Sequence, residues 1–329
     1  CNNSSQGAGQ KPVRQLPADA RRCRIAIVRT FQTRDFEQTT RGVIETLEQE
    51  ANFKTDFKIF DGNNDRTILH SCIDEILKSE QYDLICVFAS QAAQMVREAT
   101  SRQKEPLPVV FVGTGDPVGI GLVDSIQRPG HNITGACMLG TGWVVQAAKL
   151  ISVLMPHLKR VVVPYNPASL GGRIEIYREP LIAELEQQGI QVTSVQIDHT
   201  NEVMLKLAPF ADSTDLVITL PDATVLEAIG ALGKLGEQHQ FGVYALMNYA
   251  KINEGASVVY GFPAYDSGRK AAGLIRRILE NGEDPATMPV QGLDDVYRFA
   301  VNRQTAQAHG IYEKMNPMML YLVERGELV

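Results

Sequence analysis

Short apolar runs alternate with helix-length amphipathic stretches along most of this chain, and no other feature restricts the fold as much. Residues 25–28, 54–60, 84–88 and 109–112 read as strands, and 36–50, 68–78 and 91–99 between them read as helices. Continuous apolar strands are buried on both faces, and strands separated by helices are joined by crossovers. The pattern therefore predicts βαβ units and a parallel sheet. The rhythm restarts with a strand at 160–163, helix 177–188, strand 191–197, helix 202–210, strand 216–220, helix 223–236 and strand 241–245. A chain of 329 residues is long for one core, and two such series predict an α/β protein of two doubly wound parallel-sheet lobes.

Charge and composition exclude several functions. A net charge of −6 argues against a polyanion-binding surface, so no nucleic acid is expected. No apolar run approaches the roughly 20 residues that span a bilayer. The six histidines are scattered, with no metal-ligand spacing, so neither a metal nor a cofactor is expected. There is no Gly-x-Ser-x-Gly elbow, Gly233-Lys234-Leu235 lacks the hydroxyl residue of a P-loop, and Gly113-Thr114-Gly115 lacks the later glycine of a dinucleotide fingerprint. No catalytic set emerges. Cys23, Cys72, Cys86 and Cys137 form no Cys-x-x-Cys pair and read as mostly buried free thiols, and Trp143 reads as structural.

The most distinctive string runs from residue 109 to 135. A buried strand breaks into Gly113-Thr114-Gly115-Asp116-Pro117, makes a second glycine-rich turn, and closes with Arg128-Pro129-Gly130-His131-Asn132. A parallel strand ending in small residues and one carboxylate puts a polar loop at the sheet's carboxyl edge, where open α/β sheets bind ligands. The match of Asp116-Pro117-Val118-Gly119, Gly121-Leu122-Val123, Ser125, Arg128-Pro129-Gly130, Asn132 and Thr134-Gly135 resembles the signature of bacterial ABC-transporter substrate-binding proteins, in the group associated with tryptophan or tyrosine uptake.

That resemblance spans about residues 24–311 and implies a type I periplasmic-binding-protein fold with lobes joined by crossover strands. It places a flexible leader at 1–22, lobe 1 at 23–136 plus about 259–298, and lobe 2 at 137–258 plus about 299–329, with a ligand cleft between them. It implies a monomer at the extracytoplasmic face of a membrane that captures a small solute, an aromatic or other apolar amino acid or a related molecule, by hinge closure and passes it to permease subunits. Cys1, followed by a polar run, is similar to the start of a mature lipoprotein and is the expected lipid attachment site. A ligand-sensing receptor and an enzyme on the same scaffold remain as alternatives. The tail at 315–329 reads as an amphipathic docking segment.

Loops that follow strands supply the candidate ligand residues: Phe31 and Gln32, Ser90 and Gln91, Thr114 and Asp116, Asn166 and Ser169, Asp222, and Leu246 with Met247. Asp116 and Asp222 are expected to bracket a cationic group, and Ser90 and Asn166 to bond a carboxylate or carbonyl. Phe31, Leu246 and Met247 would shape an apolar end, with Tyr165 and Tyr265 as further flat walls. Ser90 and Asp222 read equally as ordinary helix caps. The family's Thr-Pro-Ala-Ala-Gln loop is matched by Ser90-Gln91-Ala92-Ala93-Gln94 without the proline. Its Tyr-Asn-Pro-Gly-Glu-Pro-Asn-Ser loop keeps only Tyr165-Asn166-Pro167 before diverging, and its Ala-Ser-Asp segment becomes Ala245-Leu246-Met247. The expected pocket is thus less polar than the family's.

Overall fold

The computed structural model describes residues 16–30, 32–169 and 173–326. Cys1 and Phe31, with their expected roles in lipid attachment and ligand contact, lie outside the described residues. Among those described, no helix is long and apolar enough to cross a membrane. The chain divides into two compact units, Cys1–Met138 with Ala264–Gln291, and Leu139–Pro263 with Gly292–Val329.

In the first unit, strands β1 (Arg22–Arg29), β2 (Lys54–Asp61), β3 (Leu84–Phe88), β4 (Val109–Thr114) and β5 (Ile133–Cys137) are parallel neighbours in the order β5-β4-β3-β1-β2. The short strand Gln291–Gly292 flanks β5. Ile25, Ala26, Ile27 and Val28 are wholly buried, as are all five residues of β3, which is why these strands read as unbroken apolar runs. Each such Val or Ile contributes about 1.5–3 kcal/mol on burial. The helix Arg34–Glu50 starts where Thr33 accepts a bond from the Phe36 amide, and Asp65 caps Arg66–Ser79 through the amides of Thr67 and Ile68.

The helix Ala264–Asn281 belongs to this unit because two glycines let it press against Arg34–Glu50. A Cβ on Gly42 would overlap the Tyr265 carbonyl oxygen, and one on Gly268 would overlap the Thr39 carbonyl oxygen. Tyr265 donates its hydroxyl to Glu45 at 2.8 Å, and the Arg41 guanidinium lies over its ring. Tyr265, expected as a ligand wall, is therefore occupied in helix packing.

The second unit repeats the plan. β6 (Arg160–Tyr165), β7 (Gln191–Gln196), β8 (Leu216–Thr219), β9 (Gly242–Asn248) and β10 (Val258–Phe262) are parallel in the order β10-β9-β8-β6-β7, and Arg298–Val301 adds an antiparallel edge beside β10. One antiparallel edge on a parallel sheet is common. Two boundaries differ from expectation. Residues 258–262 pair with β9 instead of joining the first lobe, because the consecutive buried residues Val258, Val259 and Tyr260 complete this sheet, and the return to the second unit falls at Gly292, not near 299. The helix Gly142–Leu154 was not anticipated, although its buried residues Trp143, Val144, Ala147, Ala148, Ile151 and Leu154 keep a helical period and Gln146 and Lys149 lie on the exposed face. The tail forms the helix Pro317–Glu324, docked through Met319, Leu320 and Val323.

Candidate ligand-binding rims

The carboxyl ends of the strands form a rim on each unit. Seven described residues other than glycine have positive φ, and five of them follow or end a strand: Asn63, Asn64, Ala89, Asp116 and Met247. The other two, Glu80 and Gln240, are left-handed helix ends. Backbone held in such regions costs on the order of 1–3 kcal/mol per residue and concentrates where ligands are clamped.

On the first unit, Ala89 follows β3 with φ 71° and ψ 157°, a region essentially reserved for glycine. The helix Ser90–Thr100 follows with no side-chain cap. Ser90 is its first helical residue and not its N-cap, because Ala89 occupies that position and carries no polar group. The opening amides have no intrahelical partner and face outward with the helix's partial positive charge. The Ala89 amide bonds the Val112 carbonyl at 3.1 Å, so this opening lies beside the end of β4. There Gly113, at φ 68°, makes a bulge, and Thr114 is fully buried with a hydroxyl that meets no partner among the described residues. Half-buried Asp116 accepts the Gly119 amide at 2.9 Å, and exposed Gln32 donates to Glu37 at 3.1 Å.

The second rim is pinned by one carboxylate. Asp222 is fully buried, accepts the Asn166 amide at 2.5 Å and the Thr224 amide at 3.0 Å, and so ties the loop after β6 to the start of the helix after β8. Asn166 is equally committed: its side chain donates to the Asp198 carbonyl and Thr224 hydroxyl and accepts from the Ala168 amide. The Ser169 amide closes the turn onto the Asn166 carbonyl at 2.9 Å. Tyr165 lies under the Arg178 guanidinium, 4.4 Å from its ring centroid. Met247 is half-buried at φ 76°, whereas Leu246 is fully buried inside β9 and serves the core instead of an apolar ligand wall. One residue separates those roles because the buried run of β9 ends at Leu246, and Met247 lies beyond it at the carboxyl end of the strand.

The comparisons with known proteins agree. Residues 24–318 match the family model described as ABC transporter substrate binding protein. The chain belongs to that family. A tyrosine-binding protein of Clostridioides difficile (strain R20291) is 23% identical over 289 residues, covering 86% of this chain and 80% of that protein. Among solved structures, a conserved domain protein from Vibrio cholerae has a TM-score of 0.75 and 24% identity, covering 91% of this chain and 97% of its own. An ABC domain in complex with L-Trp from Streptococcus pneumoniae has a TM-score of 0.73 and 21% identity, covering 93% and 98%.

As a substrate-binding protein of an ABC transporter, the chain is a solute-binding component that works outside the cytoplasm with permease subunits, in a family not of enzymes. Its signature string is mostly a brace. Asn132 donates to the Thr100 hydroxyl and the Leu107 carbonyl, Ser125 exchanges bonds with Arg128, and a Cβ on Gly130 would collide with the Asp124 carboxylate. Gly261 and Thr219 went unmarked in the sequence. The Thr219 hydroxyl, at the end of β8, is buried without a partner among the described residues. A threonine ending an apolar strand was the available signal.

Proposed function

We propose that this substrate-binding protein carries an amino acid, gripping its α-carboxylate at the opening of the helix Ser90–Thr100. The observation that carries this reading is the pairing of an uncapped helix start with the buried, unpartnered Thr114 hydroxyl on the neighbouring strand. Outward-facing amides, a hydroxyl donor and a helix N-terminus together suit a carboxylate. The tyrosine-binding relative and the L-Trp complex support the same class, with an aromatic side chain as the first choice. Asp116, in its glycine-lined loop, is the proposed partner for the ammonium group. Capture is by hinge closure, in which a ligand with higher affinity for the closed state shifts the population toward it.

Thermal-shift screening and calorimetry against amino acids, nucleosides and small peptides test this. An aromatic amino acid should raise the melting temperature, and Thr114→Val should weaken its binding by roughly tenfold or more, as expected for losing a hydrogen bond to a charged group. A shift produced only by solutes lacking a carboxylate, or unchanged affinity in Thr114→Val, would sink the reading.

A further inference from the structure

Asp116 holds a left-handed backbone, at φ 43°, in the loop that follows β4. Such a conformation lasts only where the surrounding structure imposes it. Part of the constraint is local. The Ile120 amide donates to the Asp116 carbonyl oxygen at 3.1 Å, and the Leu122 amide donates to the Pro117 carbonyl oxygen at 2.8 Å. The Gly119 amide donates to Asp116 Oδ1 at 2.9 Å, and Pro117, Leu122 and Val123 are buried beneath the turn.

The tip of this turn is also held from outside. Gln94 donates from Nε2 to the Ile120 carbonyl oxygen at 2.9 Å. Ile120 is thus engaged through both of its backbone groups, and two hydrogen bonds link Gln94 to Asp116. Gln94 lies one turn after Ser90 in the helix Ser90–Thr100. The opening amides of that helix precede its first intrahelical bond, from the Ala93 amide to the Ala89 carbonyl at 3.1 Å. The same helix face continues with Arg97, 2.7 Å from His131, and with Thr100, whose hydroxyl accepts from Asn132 at 2.9 Å. Those two ties hold the far end of the loop. Of the three, the Gln94 bond is the one that reaches a residue bonded to Asp116.

We propose that Gln94 is a positioning residue for amino-acid recognition: it fixes Asp116, the acceptor for the ammonium group, relative to the helix opening that takes the α-carboxylate. The inference rests on the amino-acid reading above and deepens it. Both charged ends of the solute then meet groups held by one helix, one directly and one through Ile120, all within the first unit. The ammonium and carboxylate of an α-amino acid sit at a set spacing. Two sites fixed to one rigid element match that spacing and favour α-amino acids over carboxylic acids that lack the amine.

Calorimetry tests this with L-tyrosine and L-phenylalanine against their des-amino acids, which keep the ring and the carboxylate. Gln94 is exposed, so Gln94→Met removes the donor and leaves the core intact. It should weaken the two amino acids about three- to tenfold and leave the des-amino acids unchanged. Asp116→Asn keeps an oxygen for the Gly119 amide and tolerates the left-handed backbone. It should split the two ligand classes in the same way, and adding Gln94→Met to it should cost nothing further. Thr100→Val cuts a tie remote from Asp116 and should lower the melting temperature while sparing both classes. Gln94→Met weakening both classes equally or neither, or Thr100→Val splitting them too, overturns the positioning role; if Asp116→Asn still splits them, the amino-acid reading stands. Asp116→Asn binding both classes like wild type, or no binding of either amino acid, overturns the ammonium assignment and the positioning role with it.

Discussion

Gly261 is the space into which the Met247 backbone turns. The two are paired across β10 and β9, and a Cβ on Gly261 would lie 2.5 Å from the Met247 carbonyl carbon and 3.0 Å from the Asn248 amide. Met247 adopts φ 76° there, so a strained residue on one strand depends on a missing side chain on the next. Gly261→Ala should cost about 1–3 kcal/mol, the usual penalty for overpacking, because the opposing atoms are backbone and cannot swing away. Met247→Gly relieves the strain and should stabilise the protein by up to roughly 1 kcal/mol. Urea titrations of both variants check this, and Gly261→Ala melting like wild type would contradict the pairing.

Asp222 should behave as a structural pin in addition to any ligand role. Its removal in Asp222→Ala leaves the part-buried amides of Asn166 and Thr224 without acceptors and deletes a helix cap. The expected loss is about 2–4 kcal/mol, combining cap and unsatisfied-donor costs. Asp222→Asn keeps one acceptor oxygen and should lose about half as much. Chemical denaturation separates the two, and an Asp222→Ala variant as stable as wild type would leave the carboxylate to ligand binding alone.

How far the sequence could be read depends on what each residue's neighbours contribute. β1, β3 and β4 were legible because four or five apolar residues in a row have no other use in an exported α/β chain, and Thr114 was legible because it stands in the glycine-rich loop that ends such a run. Ser90 was misplaced by one position because its apparent cap role belongs to Ala89, whose unusual ψ comes from the tertiary setting and not from any turn-forming side chain. Leu246 and Met247 look alike in sequence, yet Leu246 closes the buried run of β9 and Met247 lies at the carboxyl end of the strand, on the rim. The helix around Trp143 was legible and went unread: Trp143, Val144, Ala147, Ala148, Ile151 and Leu154 keep the 3.6-residue period, with Gln146 and Lys149 on the exposed face.

The four described cysteines should differ sharply in reactivity. Cys23, Cys86 and Cys137 are buried, whereas Cys72 is half-exposed. Burial raises the Cys86 thiol far above its usual range and raises Cys72 less, with Glu75 and Asp61 adding to the effect. The thiolate is the reactive form, so even Cys72 should label slowly and faster as pH rises. Peptide mapping after alkylation of the native protein should find label on Cys72 and on the other three only after unfolding. Native labelling of Cys86 would show that β3 opens without global unfolding.

His309 should make stability fall on mild acidification. It is 1% exposed, with Nε2 2.9 Å from the Gly233 carbonyl oxygen and Nδ1 without a partner among the described residues. Burial pushes its pKa below the usual value, outweighing the Gly233 carbonyl and the Glu237 charge, which favour the protonated ring. The folded state therefore holds the neutral imidazole, with Nε2–H donating to Gly233, while the unfolded chain takes up a proton near pH ~6.5. The contribution is fully present above that pH and is lost progressively as pH drops toward the lower folded-state value, where it levels off. His309→Gln can keep a donor to the Gly233 carbonyl without titrating. Urea midpoints measured from neutral pH downward should fall more steeply for wild type than for His309→Gln; parallel curves would mean the imidazole charges inside the folded protein at no cost.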